Sequence, residues 1–395
     1  MIRRDEYLNE LRSFKDKQLI KVVSGIRRCG KSTLFELFID ELINSGISER
    51  QIISLNFESA EFYSVKNYED LYRTVAERLQ NDVKNYVFLD EVQRVADFQK
   101  ACDSLYLMKN VDLYITGSNA MLLSGELATL LSGRYIEIKM LPLSFKEYIS
   151  AVGNTDISRK YRDYITNSSF PYTLELNSKK DIYTYLDGIY SSIILKDIVS
   201  RKKINDVPML ENIIRFMFDN IGNITSATKI ANTLTSAGYS ASVHTVNSYL
   251  SALCESFVLY RAGRYDVKGK QYLKAGEKFY IADIGLRYYL LGSKPADQGH
   301  ILENVVYLEL LRRGCEVYVG KTDSAEIDFI ASDSEKTEYY QVALTVRDPN
   351  TLERELAPLN AVSDHNPKYL LTLDDDPSCS HNGIRQINAL DWLLE

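Results

Sequence analysis

No stretch of this 395-residue chain reaches the run of about 18 consecutive apolar residues that a membrane-spanning helix requires, so a bilayer span is not expected. The opening Met1-Ile2-Arg3-Arg4-Asp5-Glu6 lacks the apolar core of a secretory signal, and a cytoplasmic location is expected. Cysteine is sparse. Cys29, Cys102, Cys254, Cys315 and Cys379 are scattered, odd in number and without a Cys-x-x-Cys pair, which leaves no disulfide framework and fits thiols in a reducing compartment. The four histidines form no cluster with several cysteines, so a zinc site is not supported. Positive charge is in deficit. A net charge of −7 excludes a dedicated nucleic-acid coat, and any such contact must come from local patches.

What is present is a globular composition long enough for two or three domains. Its most specific stretch is Gly25-Ile26-Arg27-Arg28-Cys29-Gly30-Lys31-Ser32-Thr33, which fills the pattern G-x-x-x-x-G-K-S/T. The run Leu19-Ile20-Lys21-Val22-Val23 before it reads as a strand, and Leu34 to Ile39 after it as an apolar helix. Strand, glycine-rich loop and helix N-terminus together make a phosphate cradle, because backbone N–H groups and the helix dipole face the same anion. Gly25, Arg28, Cys29, Gly30, Lys31, Ser32 and Thr33 are therefore candidate nucleotide contacts. Lys31 reaches the terminal phosphates of a nucleoside triphosphate and Ser32 offers its hydroxyl to Mg²⁺.

Downstream, Tyr86-Val87-Phe88-Leu89-Asp90-Glu91 describes a buried strand whose C-terminal edge ends in two carboxylates. Asp90 is the candidate magnesium ligand, and Glu91 the candidate base for the attacking water. Val111 to Thr116 forms another strand and delivers Ser118 and Asn119 to the same edge, within hydrogen-bonding reach of a terminal phosphate. Arg134, in Ser132-Gly133-Arg134-Tyr135, is either an arginine finger acting on its own or a neighbouring subunit, or a structural salt bridge. Alternating strands and helices with this edge chemistry predict an open, mostly parallel α/β sheet.

These blocks, together with Leu141-Pro142-Leu143-Ser144-Phe145-Lys146-Glu147-Tyr148, resemble a prokaryotic AAA+ ATPase family across nearly the full chain. The resemblance implies Walker A, Walker B and sensor roles for the residues above. It also implies ATP and Mg²⁺ as cofactors and a ring-forming assembly, expected to be a hexamer. Residues 1–143 would be the ATPase core and 144–204 a helical lid and connector.

Residues 205–292 read as three helices followed by two strands around a polar ribbon, an order that resembles a winged helix. Its third helix would carry His244 and Asn247 outward, towards a DNA major groove, with Lys268 and Lys270 on the wing and Lys202 and Lys203 at the preceding joint as backbone contacts. Such modules also bind proteins, and this helix carries no Arg or Lys. Residues 293–395 resemble the PD-(D/E)xK nuclease fold of restriction enzymes and some Holliday-junction resolvases. Glu303 and Asp328 match two of its acidic positions. Gln341 and Ala343 stand where the second carboxylate and the lysine belong, so a catalytically degenerate site is expected. Glu303 and Asp328 would then be structural, for instance paired with Arg312 or Arg313. The leading expectation is an ATP-driven ring acting on DNA, branched DNA included. The alternative is a nucleotide-dependent switch or scaffold that recognises a protein partner.

Overall fold

The computed structural model describes residues 2–118, 131, 133–202, 204, 206–269, 271–294, 297–322 and 325–395. By contact the chain divides into one unit of Met1–Pro142 with Glu255–Phe257 and a second of Leu143–Cys254 with Val258–Glu395.

The first unit is built on five strands: β1 (Ile20–Ser24), β2 (Ile52–Asn56), β3 (Asn85–Asp90), β4 (Val111–Gly117) and β5 (Tyr135–Lys139). Their order is β2-β3-β4-β1-β5, and every pairing is parallel, as the strand–helix alternation predicts. The inner strands β1, β3 and β4 are buried at every position. The outer strands β2 and β5 are only partly covered. Helices on both faces cause this difference, because only the inner strands are covered twice over.

Val22, Val87, Leu89, Leu113 and Ile115 pack one face against Leu71 and Val75 of helix Tyr68–Ala76 and against Ala101, Cys102 and Leu105 of helix Phe98–Tyr106. On the other face Phe88 and Tyr114 stack at 4.6 Å, and both meet Phe35 and Phe38 of helix Lys31–Asn44. Period-two alternation thus sends aliphatic residues to one layer and aromatic residues to the other. A buried polar group closes the sheet where its strands begin. Lys21 pairs with Asp112, whose other oxygen accepts from Tyr114 Oη at 2.8 Å.

The second unit holds a mixed eight-stranded sheet. Its strands are β6 (Leu259–Asp266), β7 (Gln271–Ile281), β8 (Glu316–Lys321), β9 (Glu326–Ser332), β10 (Thr337–Val342), β11 (Lys368–Thr372), β12 (Cys379–His381) and β13 (Ile384–Asn388). They lie in the order β12-β13-β11-β10-β9-β8-β6-β7. Helix Gln298–Arg312 is buried at every residue from Ile301 to Leu310, because it packs on this sheet and also on helix Ala389–Leu394.

Two expected boundaries are corrected here. The β6–β7 hairpin does not form the wing of a module ending at residue 292: β6 pairs in parallel with β8, so one sheet runs through the expected division. The three helices precede it as predicted, at Val207–Asp219, Ala227–Ser236 and Val243–Glu255. Residues 144–204, expected as a helical lid and connector separate from the core, follow a division between Pro142 and Leu143, but they cluster with the rest of the second unit and do not end as a unit at residue 204. The cause is packing and polar closure. Phe145 contacts Tyr161 and Tyr164 edge-on or tilted, Tyr164 Oη donates to Leu143 O at 2.9 Å, and the buried carboxylate of Asp283 accepts from Ser169 N at 2.6 Å and Ser169 Oγ at 2.7 Å.

Candidate active site

β1 ends at the glycine loop, and the loop's shape depends on two glycines. A Cβ on Gly25 would lie 2.1 Å from Met140 O, and Gly30 has φ +104°, so neither position accepts a side chain without strain. Helix Lys31–Asn44 then begins with no side chain capping its first turn, which leaves its N-terminal N–H groups to an anion. The loop is braced by a residue that sequence reasoning did not single out. Arg4 is buried, and its guanidinium donates to Cys29 O at 2.9 Å and Leu141 O at 2.8 Å. Tyr7 lies under Arg4 at 4.9 Å and accepts from Leu141 N at 3.1 Å, so the lead-in helix Asp5–Phe14 holds both the loop and the chain beyond β5. Its sequence signal, an arginine before a helix, is too common to have identified it.

Lys31 is buried and donates to Gly25 O at 3.1 Å and Ile26 O at 3.2 Å, with its ammonium 3.8 Å from Glu91 Oε1. Asp90, at the end of β3, accepts from Thr116 Oγ1 and, at 3.1 Å, from Asn56 Nδ2, with the Ser32 side chain close enough to act on its charge. Burial raises the Asp90 pKa above the ordinary carboxylate value, and the Ser32 and Thr116 hydrogen bonds work against that rise. Glu91 has φ +53°, a left-handed conformation costly for a non-glycine residue, and Thr116 Oγ1 accepts from its N–H at 2.9 Å. One fully buried hydroxyl thus fixes both acidic residues. The second oxygen of Glu91 accepts from Gln93 Nε2 and, at 3.2 Å, from Ser118 Oγ.

The structure brings Lys31, Ser32, Asp90, Glu91 and Ser118 together, and adds Asn56, Gln93 and Thr116. Thr116 lay in view at the end of an apolar strand beside the acidic pair, and that position was its signal. Thr33 is half-buried in the first helical turn, Arg28 is exposed and Cys29 is buried, with burial raising its thiol pKa. Asn119 lies outside the described residues. A serine hydroxyl and one carboxylate form a small set of hard oxygens, which suits Mg²⁺ because that ion keeps several waters and takes the rest from phosphate. Ser32 and Asp90 would hold it.

Arg134 is not part of this group. It precedes β5, and in the parallel register Ile20 pairs with Tyr135 and Ser24 with Lys139, so Arg134 stands where the strands begin and the loop where β1 ends. There it pairs with Asp103 and covers the Tyr106 ring at 5.4 Å. A cavity of about 450 Å³ along β2, lined by Arg50, Ile53, Leu55, Phe62 and Arg78 among others, shares no residue with the site.

In the second unit Glu303, Asp328 and Gln341 do converge. Asp328 N donates to Gln341 Oε1 at 3.3 Å, and Val342 N donates to Asp328 Oδ2 at 2.9 Å. Between the carboxylates lies Lys278 of β7, which sequence reasoning missed because it had assigned this strand to a different module. Its ammonium is 2.8 Å from Glu303, 2.9 Å from Glu326 and 3.6 Å from Asp328. Burial lowers the Lys278 pKa, but the three carboxylates outweigh it and hold the ammonium above the ordinary lysine value. Burial and then Glu303 push Asp328 up to about 7. The expected partners Arg312 and Arg313 bind Glu309 instead. Among the described residues no group of three histidine, cysteine or acidic side chains is disposed to hold a metal.

Of the proposed DNA contacts, His244, Asn247 and Lys268 are exposed, whereas Lys203, Lys270 and the side chain of Lys202 lie outside the described residues. No helix among the described residues is long and apolar enough to cross a membrane.

A glycine loop opening a helix, with an Asp-Glu edge beside it on a parallel sheet, is the arrangement of a P-loop nucleotide-binding domain. A model for the AAA domain matches residues 17–149, and one for a domain of unknown function (DUF8612) matches residues 158–297. The chain belongs to one family with an uncharacterized protein of Haemophilus influenzae, to which it is 43% identical across 100% of this chain and 99% of that protein. An uncharacterized protein of Methanocaldococcus jannaschii is 29% identical over 85% of this chain and 77% of its own. The Walker-type ATPase of Pyrococcus abyssi shares the fold, with a TM-score of 0.50 at 14% identity over 73% of this chain and 96% of that one.

Proposed function

We propose that this protein binds and hydrolyses ATP with Mg²⁺ and uses the cycle to act on DNA, by remodelling or translocation, branched DNA included, as a hexameric ring. The observation that carries the ATPase reading is the convergence of Lys31, Ser32, Asp90 and Glu91 at one edge of the parallel sheet. Mg²⁺, when bound, neutralises phosphate charge. Lys31 leaves the loop carbonyls for the terminal phosphates, and Glu91, held by Gln93 and Ser118, orients a water and accepts its proton. Asn119, following Ser118, would extend the contact with the terminal phosphate. Arg134, at the other end of the sheet, would serve only a neighbouring subunit's site.

The DNA reading draws support from the three helices that precede the sheet, the third exposing His244 and Asn247, and from Lys268, exposed in the β6–β7 turn. It also draws on the helix–three strands–helix–strand order from Gln298 to Thr372, which resembles the PD-(D/E)xK arrangement. DNA cleavage is not proposed, because Gln341 and Ala343 replace a carboxylate and the lysine, and Lys278 is committed to three carboxylates. A second reading, a nucleotide-dependent switch recognising a protein, is favoured by the same helix's lack of cations and the net charge of −7.

ATPase assays on the purified chain with duplex, junction and single-stranded DNA, beside mass measurement, decide between them. The DNA reading expects stimulation of several-fold and a hexamer mass. A flat response with no binding at low salt supports the switch, and absence of hydrolysis, or hydrolysis untouched by Lys31→Ala, overturns the ATPase reading.

A further inference from the structure

The loop carries two arginines, and they differ. Arg28 is exposed at φ +67°, whereas Arg27 is half-buried and reaches back across the site, where its Nε donates to Ser118 Oγ at 3.3 Å. Ser118 Oγ in turn donates to Glu91 Oε2 at 3.2 Å. The other oxygen of Glu91 faces Lys31 Nζ at 3.8 Å. Glu91 therefore stands between two cations of the same loop, one direct and one a hydroxyl away. A base that activates water for attack on a phosphoryl group must lie next to that group. The cation sharing its hydrogen-bond partner then lies within a side chain's reach of the same phosphate. Arg134, at the other end of the sheet, cannot fill this role in its own subunit.

Resting on the ATPase reading above, we propose that Arg27 is a catalytic residue of ATP hydrolysis, binding the γ-phosphate in cis and stabilising the charge that moves as the phosphoryl group transfers. The water oxygen forms a bond to the γ-phosphorus while Glu91 takes a proton from that water. The bond from the γ-phosphorus to the β,γ-bridging oxygen breaks, and its electron pair leaves with ADP. Inorganic phosphate is the second product. Arginine suits the role because its planar, permanently charged guanidinium meets two phosphate oxygens at once, which an ammonium does not. ADP has no group at this position, so Arg27 discriminates between triphosphate and diphosphate.

The test uses the full chain as wild type, Arg27→Ala, Arg27→Lys and Lys31→Ala, with circular dichroism to check folding. Hydrolysis is measured beside the affinities for ADP and a non-hydrolysable ATP analogue. Arg27→Ala should lower kcat by about 100-fold or more. It should weaken the analogue about tenfold and leave ADP within threefold, and Arg27→Lys should recover part of each loss. A kcat within threefold of wild type, or an equal loss of ADP and analogue, overturns the assignment while the ATPase reading stands. Wild type without hydrolysis removes the reading and the assignment together. Mixing Arg27→Ala with Lys31→Ala subunits tests the cis claim: recovered activity means that Arg27 acts across subunits and overturns it.

Discussion

Replacing Lys278 with Met tests whether one ammonium holds the second unit's acidic cluster together. Lys278 is 5% exposed and Glu303 7%, so the pair sits in a medium where an unpaired carboxylate is costly. Removing one partner from a buried ion pair costs about 3–5 kcal/mol, because the remaining charge keeps its desolvation penalty without compensation. The loss must depend on pH. Asp328 titrates at about 7 in the folded chain against an ordinary 3.8, so the folded state holds an extra proton between those values. A raised carboxylate pKa stabilises the fold at low pH, and that contribution fades as pH rises through about 7. Each pH unit in the window is worth at most about 1.4 kcal/mol. Lys278 opposes this rise in Asp328, so its removal should hurt most at pH 8, by about 4 kcal/mol, and less at pH 5, where Asp328 is protonated. Trp392 provides the assay. It is the chain's single tryptophan, buried 5.6 Å from Tyr340 in the same unit, so its fluorescence in urea reports this unit's unfolding. A loss below about 1 kcal/mol at pH 8, or one equal at pH 5 and pH 8, would refute the reasoning.

Two further substitutions address the first unit. Thr116→Val removes the hydroxyl that fixes Asp90 and accepts from Glu91 N. It should cut the ATP turnover rate by roughly tenfold to a hundredfold and cost about 1–3 kcal/mol in denaturant unfolding, since it orphans a buried N–H. Arg4→Ala withdraws the donors to Cys29 O and Leu141 O and should weaken ATP and ADP alike. The check is the nucleotide-induced rise in Tm, which should shrink for both nucleotides. A normal rise would mean that the loop holds its shape without this brace.

The parts legible in the sequence were those whose signals are local. β1, the glycine loop and helix Lys31–Asn44 follow one another without a break, so spacing alone reports their geometry. Asp90 and Glu91 were readable because a buried strand ends on them. Arg134 was ambiguous for a related reason. The short, partly exposed and charge-interrupted strand Tyr135–Lys139 was not recognised, and its direction decides which end of a parallel sheet the preceding residue occupies. Once that strand is placed, Arg134 belongs with Asp103 and not with the phosphates.

Lys278 was hidden by connectivity. Its strand joins the C-terminal sheet only through the parallel β6–β8 pairing, a non-local contact that periodicity cannot report. Reading Ala343 as a lost lysine assumed that the positive charge near Glu303 and Asp328 had to come from the adjacent strand β10. The chain supplies it from β7 instead. The two acidic groupings therefore meet different ends. At the loop, Lys31 lies 3.8 Å from Glu91 and is held by main-chain carbonyls, so an incoming phosphate can draw it away. In the second unit Lys278 lies within 3 Å of two carboxylates and 3.6 Å from a third, so an ammonium already stands where the acidic side chains converge.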